Sequence, residues 1–297
     1  HRDLHSFPTR RSSDLFILSY SKADLHLHTY FSDGKFSVEE LLLYAKRRMI
    51  EIISITDHDN TGAIDEAIEK SVQSDIELIP GIEFSTNFLD SEVHILSYFF
   101  NYKDSKITDY VKNFREKRIQ RLDEMIGKLN YYGYKLSLEE LLEDNPGIIT
   151  LGRPHLANIL VKKGYVQNYY EAFTRFIGDY KICFVRKPNP PVEEVLELIS
   201  ETKGIAVLAH PGASFSMEFI EKLIKLGIDG IETIHPSHAL GKIKKLENFA
   251  KEKNLLATGG SDFHGYFPQD FTNLGKYVVP ADRVEKMKEK IKEKHLI

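Results

Sequence analysis

ADLHLHT, residues 23–29, decides how this chain folds. Its alternation has the period of a strand, and VEELLLYAKRRM (38–49) follows it with apolar positions at helical spacing. Ser37 stands as N-cap with Glu40 three residues on, a capping box that starts this helix. The couple then repeats. EIISITD (51–57) reads as a strand, TGAIDEAIEKSVQ (61–73) as a helix, and IELIPGIEFST (76–86) and EVHILSYFF (92–100) as strands. Repeated βα order implies an α/β fold with a mainly parallel sheet or barrel.

The rhythm stops between residues 104 and 187, where ITDYVKNFREKRIQRLDEMIGKLNYYG, LSLEELLED, GRPHLANILVKKG and NYYEAFTRFIG are all helical. This stretch reads as an α-helical insertion, a cap over the substrate. It divides a barrel into a first part at 21–103 and a second at 188–297. PNPP (188–191) marks the return. Strands are then expected at IAVLAHP (205–211), IDGIETI (228–234), LLATGGSDFH (255–264) and KYVVP, separated by helices and closed by a charged C-terminal helix. About seven β units result, close to a (β/α) barrel, in which chemistry sits at the C-terminal strand ends.

Composition narrows the class. With 44 acidic and 40 basic residues the net charge is −4, so nothing global pulls the chain toward polyanions. One cysteine, Cys183, excludes a disulfide framework within the chain and is read as a small apolar residue. No apolar run approaches the roughly 18 residues of a membrane helix, and FILSY (16–20) is too short for a signal-peptide core. A soluble cytoplasmic enzyme with no obligate protein partner is expected. Residues 1–20 are expected to be non-native or disordered, because HRDLHSFPTRRSSDL (1–15) resembles translated sequencing-adapter sequence. Its HRDL has no other part of the kinase signature beside it.

The polar residues fall where a barrel would use them. His26 and His28 end the first strand and share one face of it. His58 lies in Asp57-His58-Asp59 after the second strand, and Glu83 ends the third. His94 lies on the fourth strand, His210 after the fifth, and Asp262 and His264 after the seventh. Six of the 12 histidines thus gather at strand ends. Burying one such group unpaired costs several kcal/mol, so burying this many together calls for cations. Imidazole and carboxylate without thiolate suit Mn, Fe, Zn or Co. The donors suffice for two or three ions, and paired ions about 3.5–4 Å apart can clamp an in-line displacement.

DLHLHTYFSDG, SITDHDN, PGIEFST, the VH of EVHIL, LAHPG and GGSDFH resemble, in that order, the PHP (polymerase and histidinol phosphatase) superfamily. The resemblance spans residues 23–280. It implies a distorted (β/α)7 TIM-like barrel and a metal-dependent phosphoesterase with two or three divalent ions. Manganese is the first expectation, with zinc, iron or magnesium as alternatives. It implies His26, His28, Glu83 and Asp262 on a first metal. Glu83 would bridge to a second held by His94 and His210, with Asp33, His58 and His264 on a third. Histidinol-phosphate phosphatases of the superfamily usually carry His in place of Asp33, so this chain departs from that branch.

The insertion, GRPHLANILVKKGYVQNYYEAFTRFIGDYK, resembles the branch that hydrolyses nucleoside 3′,5′-bisphosphates, some members of which trim short RNA from the 5′ end. That likeness implies substrate contacts at Arg153 and His155, with Arg118 at a further basic position. Arg153 otherwise caps a helix or pairs at the surface, and Arg118 lies on a solvated face. After the insertion, Lys181-Ile182-Cys183-Phe184-Val185-Arg186 departs from the KPAYVP-like stretch of relatives, which puts base or ribose preference in doubt. His235 and His238 follow the sixth strand, where they contact phosphate, donate a proton or support the ligands. The expected activity is hydrolysis of the 3′-phosphate of a nucleoside 3′,5′-bisphosphate, or 5′-end trimming of short RNA. Asp262, His264 and Arg153 are its expected catalytic groups. The alternatives are a histidinol-phosphate-type phosphatase and a non-catalytic metal-binding module.

Overall fold

A computed structural model describes residues 21–145, 151–212 and 215–295. The expectation for residues 1–20 lies outside the described residues. The order begins β1 (Lys22–Leu27), α1 (Val38–Arg47), β2 (Ile52–Ile55), α2 (Ile64–Ser74), β3 (Glu77–Phe88) and β4 (Ser91–Tyr98). Helices α3 (Ser105–Tyr131), α4 (Leu138–Glu143), α5 (Arg153–Lys162) and α6 (Tyr169–Ala172) follow, the last running into a π-helical turn at Phe173–Ile177. The βα order resumes with α7 (Val192–Glu201), β5 (Ile205–Leu208), α8 (Met217–Lys225), β6 (Gly230–Ile234), α9 (Leu240–Glu252) and β7 (Leu256–Gly259). A short α10 (Pro268–Asn273), β8 (Val279–Pro280) and α11 (Ala281–His295) complete the chain.

The capping box holds. Ser37 Oγ accepts the Glu40 N–H at 3.2 Å, and Glu40 Oε2 accepts the Ser37 N–H at 2.9 Å. Both contacts satisfy N–H groups that a helix start leaves without partners.

The strands form one sheet in the order β7-β6-β5-β4-β3-β2-β1-β8. It curls until β7 returns to β1. The His28 N–H donates to the Phe263 carbonyl at 3.0 Å, and Ser261 N–H to Asp24 Oδ1 at 2.9 Å. Gly260 permits this approach, since a Cβ there would stand 2.4 Å from the Cβ of His26. The result is the expected α/β barrel, nearly closed, with the two-residue β8 added at the edge of β1.

One expectation is corrected. The third strand does not end at Glu83 but continues to Phe88 and returns through Leu89 and Asp90 (φ 47° and 61°) as a hairpin. β4 therefore runs antiparallel to both β3 and β5. Two successive residues with positive φ make the tight turn whose twist suits adjacent strands.

Side chains sort into layers. Leu25, Leu96, Tyr98, Ile205 and Val207 fill the lower barrel, closed beneath by Val284 and Met287 of α11. Helices α1 and α2 cover one side of the sheet through Leu41, Leu42 and Ala67, and α7 to α9 cover another through Val195, Leu223 and Leu246. The helices after β4 have a core of their own, including Leu122, Met125, Leu156, Leu160 and Ile177, in which Cys183 is buried. Apolar residues thus plug the lower barrel and leave polar groups for the upper rim.

Candidate metal centre

Glu83 is the hub of that rim. It lies midway along β3 and is fully buried. Glu83 pairs with Leu96 across the hairpin, so His94, two residues earlier on β4, emerges on the same face. Oε1 of Glu83 lies 2.9 Å from His94 Nδ1 and 3.0 Å from His210 Nε2. Its Oε2 lies 3.1 Å from His26 Nε2, 3.2 Å from His58 Nδ1 and 3.3 Å from His28 Nε2. Imidazoles from four parts of the barrel therefore meet one carboxylate.

Two further carboxylates bind the ring together. Asp262 Oδ1 is 3.1 Å from His28 Nε2 and 3.4 Å from His26 Nε2. Asp33 Oδ1 is 3.3 Å from His264 Nε2 and 3.7 Å from His28 Nδ1, while its Oδ2 is 3.7 Å from His58 Nε2. The loop carrying Asp33 is shaped by buried Asp57, which accepts the Thr29 N–H at 2.7 Å and the hydroxyls of Thr29 and Ser32 at 2.6 Å. Asp59 (φ 50°), His210 (φ 25°) and Asp262 (φ 50°) adopt left-handed backbone here. Such strain in non-glycine residues concentrates at functional sites.

The donors fit cations. Both ring nitrogens of His28 and Nδ1 of His58 are buried without an aligned hydrogen-bond partner, though carboxylate oxygens lie beside them. Ligand bonds of about 2.0–2.2 Å place adjacent ligands about 3.0–3.4 Å apart, the spacing seen around Glu83. Donor atoms of His26, His28, Glu83 and Asp262 lie within 4.8 Å of one another, as do those of His28, Asp33, His58 and His264, and those of His58, Glu83 and His94. Nitrogen and oxygen donors without thiolate suit divalent ions of the first transition row.

Electrostatics agree. Burial opposes charge on Glu83, yet the charged imidazoles of His26 and His94, with the His210 hydrogen bond, hold its carboxyl well below the usual range. Burial is likewise overcome at Asp262 by His26 and its neighbours, and at Asp33 by His264 and His28. His28 is pushed up to about 10 and His94 to about 9, because neighbouring carboxylates outweigh burial. At His58 burial wins, and its pKa falls to about 3. The protein alone thus keeps its carboxylates ionised and stores protons on imidazoles, and divalent ions would compete for those positions.

The expected substrate contacts divide. Arg118 Nη1 lies 3.8 Å from Asp59 Oδ2, and its Nε donates to the Leu151 carbonyl. Arg153 donates to Asp179 Oδ1 at 2.6 Å and stacks over Phe184 and Phe173, so it does pair near the surface. His155 Nδ1 accepts the Gly152 N–H and caps its own helix. His235 Nε2 lies 3.2 Å from Asp262 Oδ2, inside the centre. His238 is a correction: its Nδ1 meets the Thr233 carbonyl and its Nε2 accepts the Gly212 N–H, both at 3.0 Å, which leaves no ring nitrogen for a substrate.

Glu232 on β6 was not anticipated. It is fully buried, and its Oε1 lies 3.0 Å from His26 Nδ1. An acidic residue inside the apolar GIETI was the signal.

Known proteins resemble this chain over most of its length. The chain is 33% identical over 268 residues to a 5′-3′ exoribonuclease of Haemophilus influenzae, covering 89% of this chain and 96% of that one. It is 31% identical over 248 residues to the 3′,5′-nucleoside bisphosphate phosphatase of Chromobacterium violaceum, covering 81% and 86%. The crystal structure of a protein from Bifidobacterium adolescentis, described as a metal-dependent phosphoesterase, superposes with a TM-score of 0.78 at 29% identity, covering 89% and 94%. Residues 24–216 match the PHP domain, and the chain belongs to that family as a metal-dependent phosphoester hydrolase.

Proposed function

We propose that this enzyme removes the 3′-phosphate of a nucleoside 3′,5′-bisphosphate, and that it also trims short RNA from the 5′ end. The observation that carries this reading is a crowd of guanidinium groups beside the carboxylate-rich centre. Burial first, then the charges of Arg153 and Arg118, lower Arg121 to about 10. Among the described residues no carboxylate lies within 4.0 Å of Arg121. Arg153 and Arg118 each face one carboxylate, Asp179 and Asp59, and Arg121 between them has none of its own, so the cluster favours a ligand that brings further negative charge, and a second phosphate does so. Arg118 ties this crowd to the centre through Asp59, the neighbour of His58. The names of the relatives in Haemophilus and Chromobacterium point the same way.

In this reading His26, His28, Glu83 and Asp262 hold one ion, Glu83, His94 and His210 a second, and Asp33, His58 and His264 a third. Manganese is the first choice. Bound ions would supply positive charge for the phosphoryl oxygens and acidify a water near neutral pH. Glu83 and Asp262 fix the imidazoles that surround the reacting phosphate. Arg153 exchanges Asp179 for the substrate and spreads its fork over the oxygens of the second phosphate, which holds the nucleotide in place. His235, held by Asp262 Oδ2, is placed to pass a proton to the leaving ribose oxygen, with His264 beside it. The helices after β4 act as the cap, and His155 stiffens the turn that presents Arg153. Among the described residues no helix is long and apolar enough to cross a membrane; a cytoplasmic location is part of the proposal.

The test is a substrate panel with manganese-loaded protein. Phosphate release from adenosine 3′,5′-bisphosphate should exceed that from histidinol phosphate and from an aryl phosphate. Equal or reversed rates would remove the substrate assignment and leave the reaction class.

A further inference from the structure

Glu232 touches two of the metal-capable histidines and is itself absent from the expected ligand set. Its Oε1 lies 3.0 Å from Nδ1 of His26, and its Oε2 accepts the backbone N–H of His210 at 2.7 Å. The residue has no solvent exposure, and both oxygens are engaged. An ionised carboxylate accepts hydrogen bonds and donates none. The His26 nitrogen that faces it must therefore carry a proton, which leaves Nε2 to turn its lone pair toward Glu83 and Asp262, 3.1 and 3.4 Å away. His210 has the unfavourable φ of 25°, and the bond from its N–H holds the turn that brings its Nε2 to 3.0 Å from Glu83.

We infer that Glu232 is a positioning residue for two ligands at once: it selects the Nδ1–H form of His26 and locks the His210 turn, so that both Nε2 atoms are presented to the ions around Glu83. The inference rests on reading the cluster as a metal centre but on no particular substrate. Outer carboxylates of this kind tune metal affinity by orienting the imidazoles they touch.

Glutamine separates this role from simple packing. Glu232→Gln keeps the shape but has one acceptor for two N–H groups. Its carbonyl can take the His210 N–H only if its amide faces His26 Nδ1. That arrangement forces the His26 proton onto Nε2 and removes the lone pair that binds metal. Glu232→Asp keeps two acceptor oxygens and the charge, with a shorter reach.

Zinc affinity, measured by competition with a chromophoric chelator, and histidine nitrogen NMR of the zinc-loaded full chain test this together, with the unfolding midpoint of the metal-free protein as control. Glu232→Gln should bind zinc about 10–100-fold more weakly. Its His26 proton should move to Nε2, and its metal-free midpoint should stay near wild type. Glu232→Asp should keep the Nδ1 proton and recover part of the affinity. Wild-type affinity with an unmoved proton in Glu232→Gln would overturn the inference. Equal loss of metal and of metal-free stability in both variants would also overturn it, as a purely structural effect. Should zinc binding respond as expected while wild type cleaves no phosphate ester, the inference stands and the functional proposal falls.

Discussion

The Nδ1 of His58 and the Oε2 of Glu83 stand 3.2 Å apart, an imidazole whose charge burial suppresses beside a carboxylate whose charge the surrounding imidazoles enforce. The pair offers a lone pair and an anion to the same point. Around it the barrel keeps charge and lone pairs buried together, a costly arrangement unless cations occupy it.

Stripping the protein with a strong chelator should therefore lower its thermal midpoint, and returning manganese or zinc should restore it. Ligand at about a thousand times its dissociation constant stabilises by about 4 kcal/mol. Calorimetric scans of the metal-free and reloaded protein check this, and a midpoint indifferent to metal would contradict it.

Arg153 should act on binding through its planar fork. Arg153→Met should raise KM for the bisphosphate at least about tenfold, equivalent to about 1.4 kcal/mol. Arg153→Lys should fail to restore it, because an ammonium cannot reproduce two parallel hydrogen bonds. Steady-state kinetics on the 3′,5′-bisphosphate and on the nucleoside 3′-monophosphate give the comparison, and the bisphosphate should lose more.

Arg283 of α11 joins Glu247 of α9 through two contacts of 2.8 Å and also reaches Thr233 of β6. Burial works against the charge of Glu247, but Arg283 and Thr233 hold its pKa below 4.5. A depressed acid contributes stability that is present above its unfolded pKa and lost as pH falls through the folded one. Glu247→Gln should thus destabilise by about 1 kcal/mol near neutral pH, a modest figure because the pair is partly exposed. The difference from wild type should shrink below about pH 4. Urea unfolding across that range measures it.

The helices after β4 have a separate core, so damage there should spare the metals. Leu160→Ala, at a site with no exposure, should cost about 2–5 kcal/mol. Metal content should remain at the wild-type level while KM for the bisphosphate rises. Loss of metal in this variant would show that the two cores are coupled.

Much of this was legible in the chain itself. His26 and His28 alternate along the first strand, so periodicity puts them on one face, while His58 in its DHD and Asp262 with His264 stand in the loops just after β2 and β7, where their place at a strand end marks them. The hairpin was less legible, because Leu89 and Asp90 turn with positive φ and lack the Asn-Gly signal that usually marks such a turn. Its consequence, that His94 returns beside Glu83 on a reversed strand, depends on pairing across the sheet. Glu232 was hidden for a similar reason: its partners, His26 and His210, come from other strands, and local pattern does not encode that meeting. His238 shows the opposite limit, since its place near the rim left phosphate contact, proton donation and support of the ligands all open, and its hydrogen bonds to Thr233 and Gly212 fit the last.

Metal content of the purified chain, compared between wild type and Glu83→Ala, bears most directly on the centre. Elemental mass spectrometry after extensive dialysis should find two or three divalent ions per wild-type chain and fewer than one in the variant, with the fold retained by circular dichroism. A wild-type chain that holds no metal, or a variant that holds as much as wild type, would contradict the account.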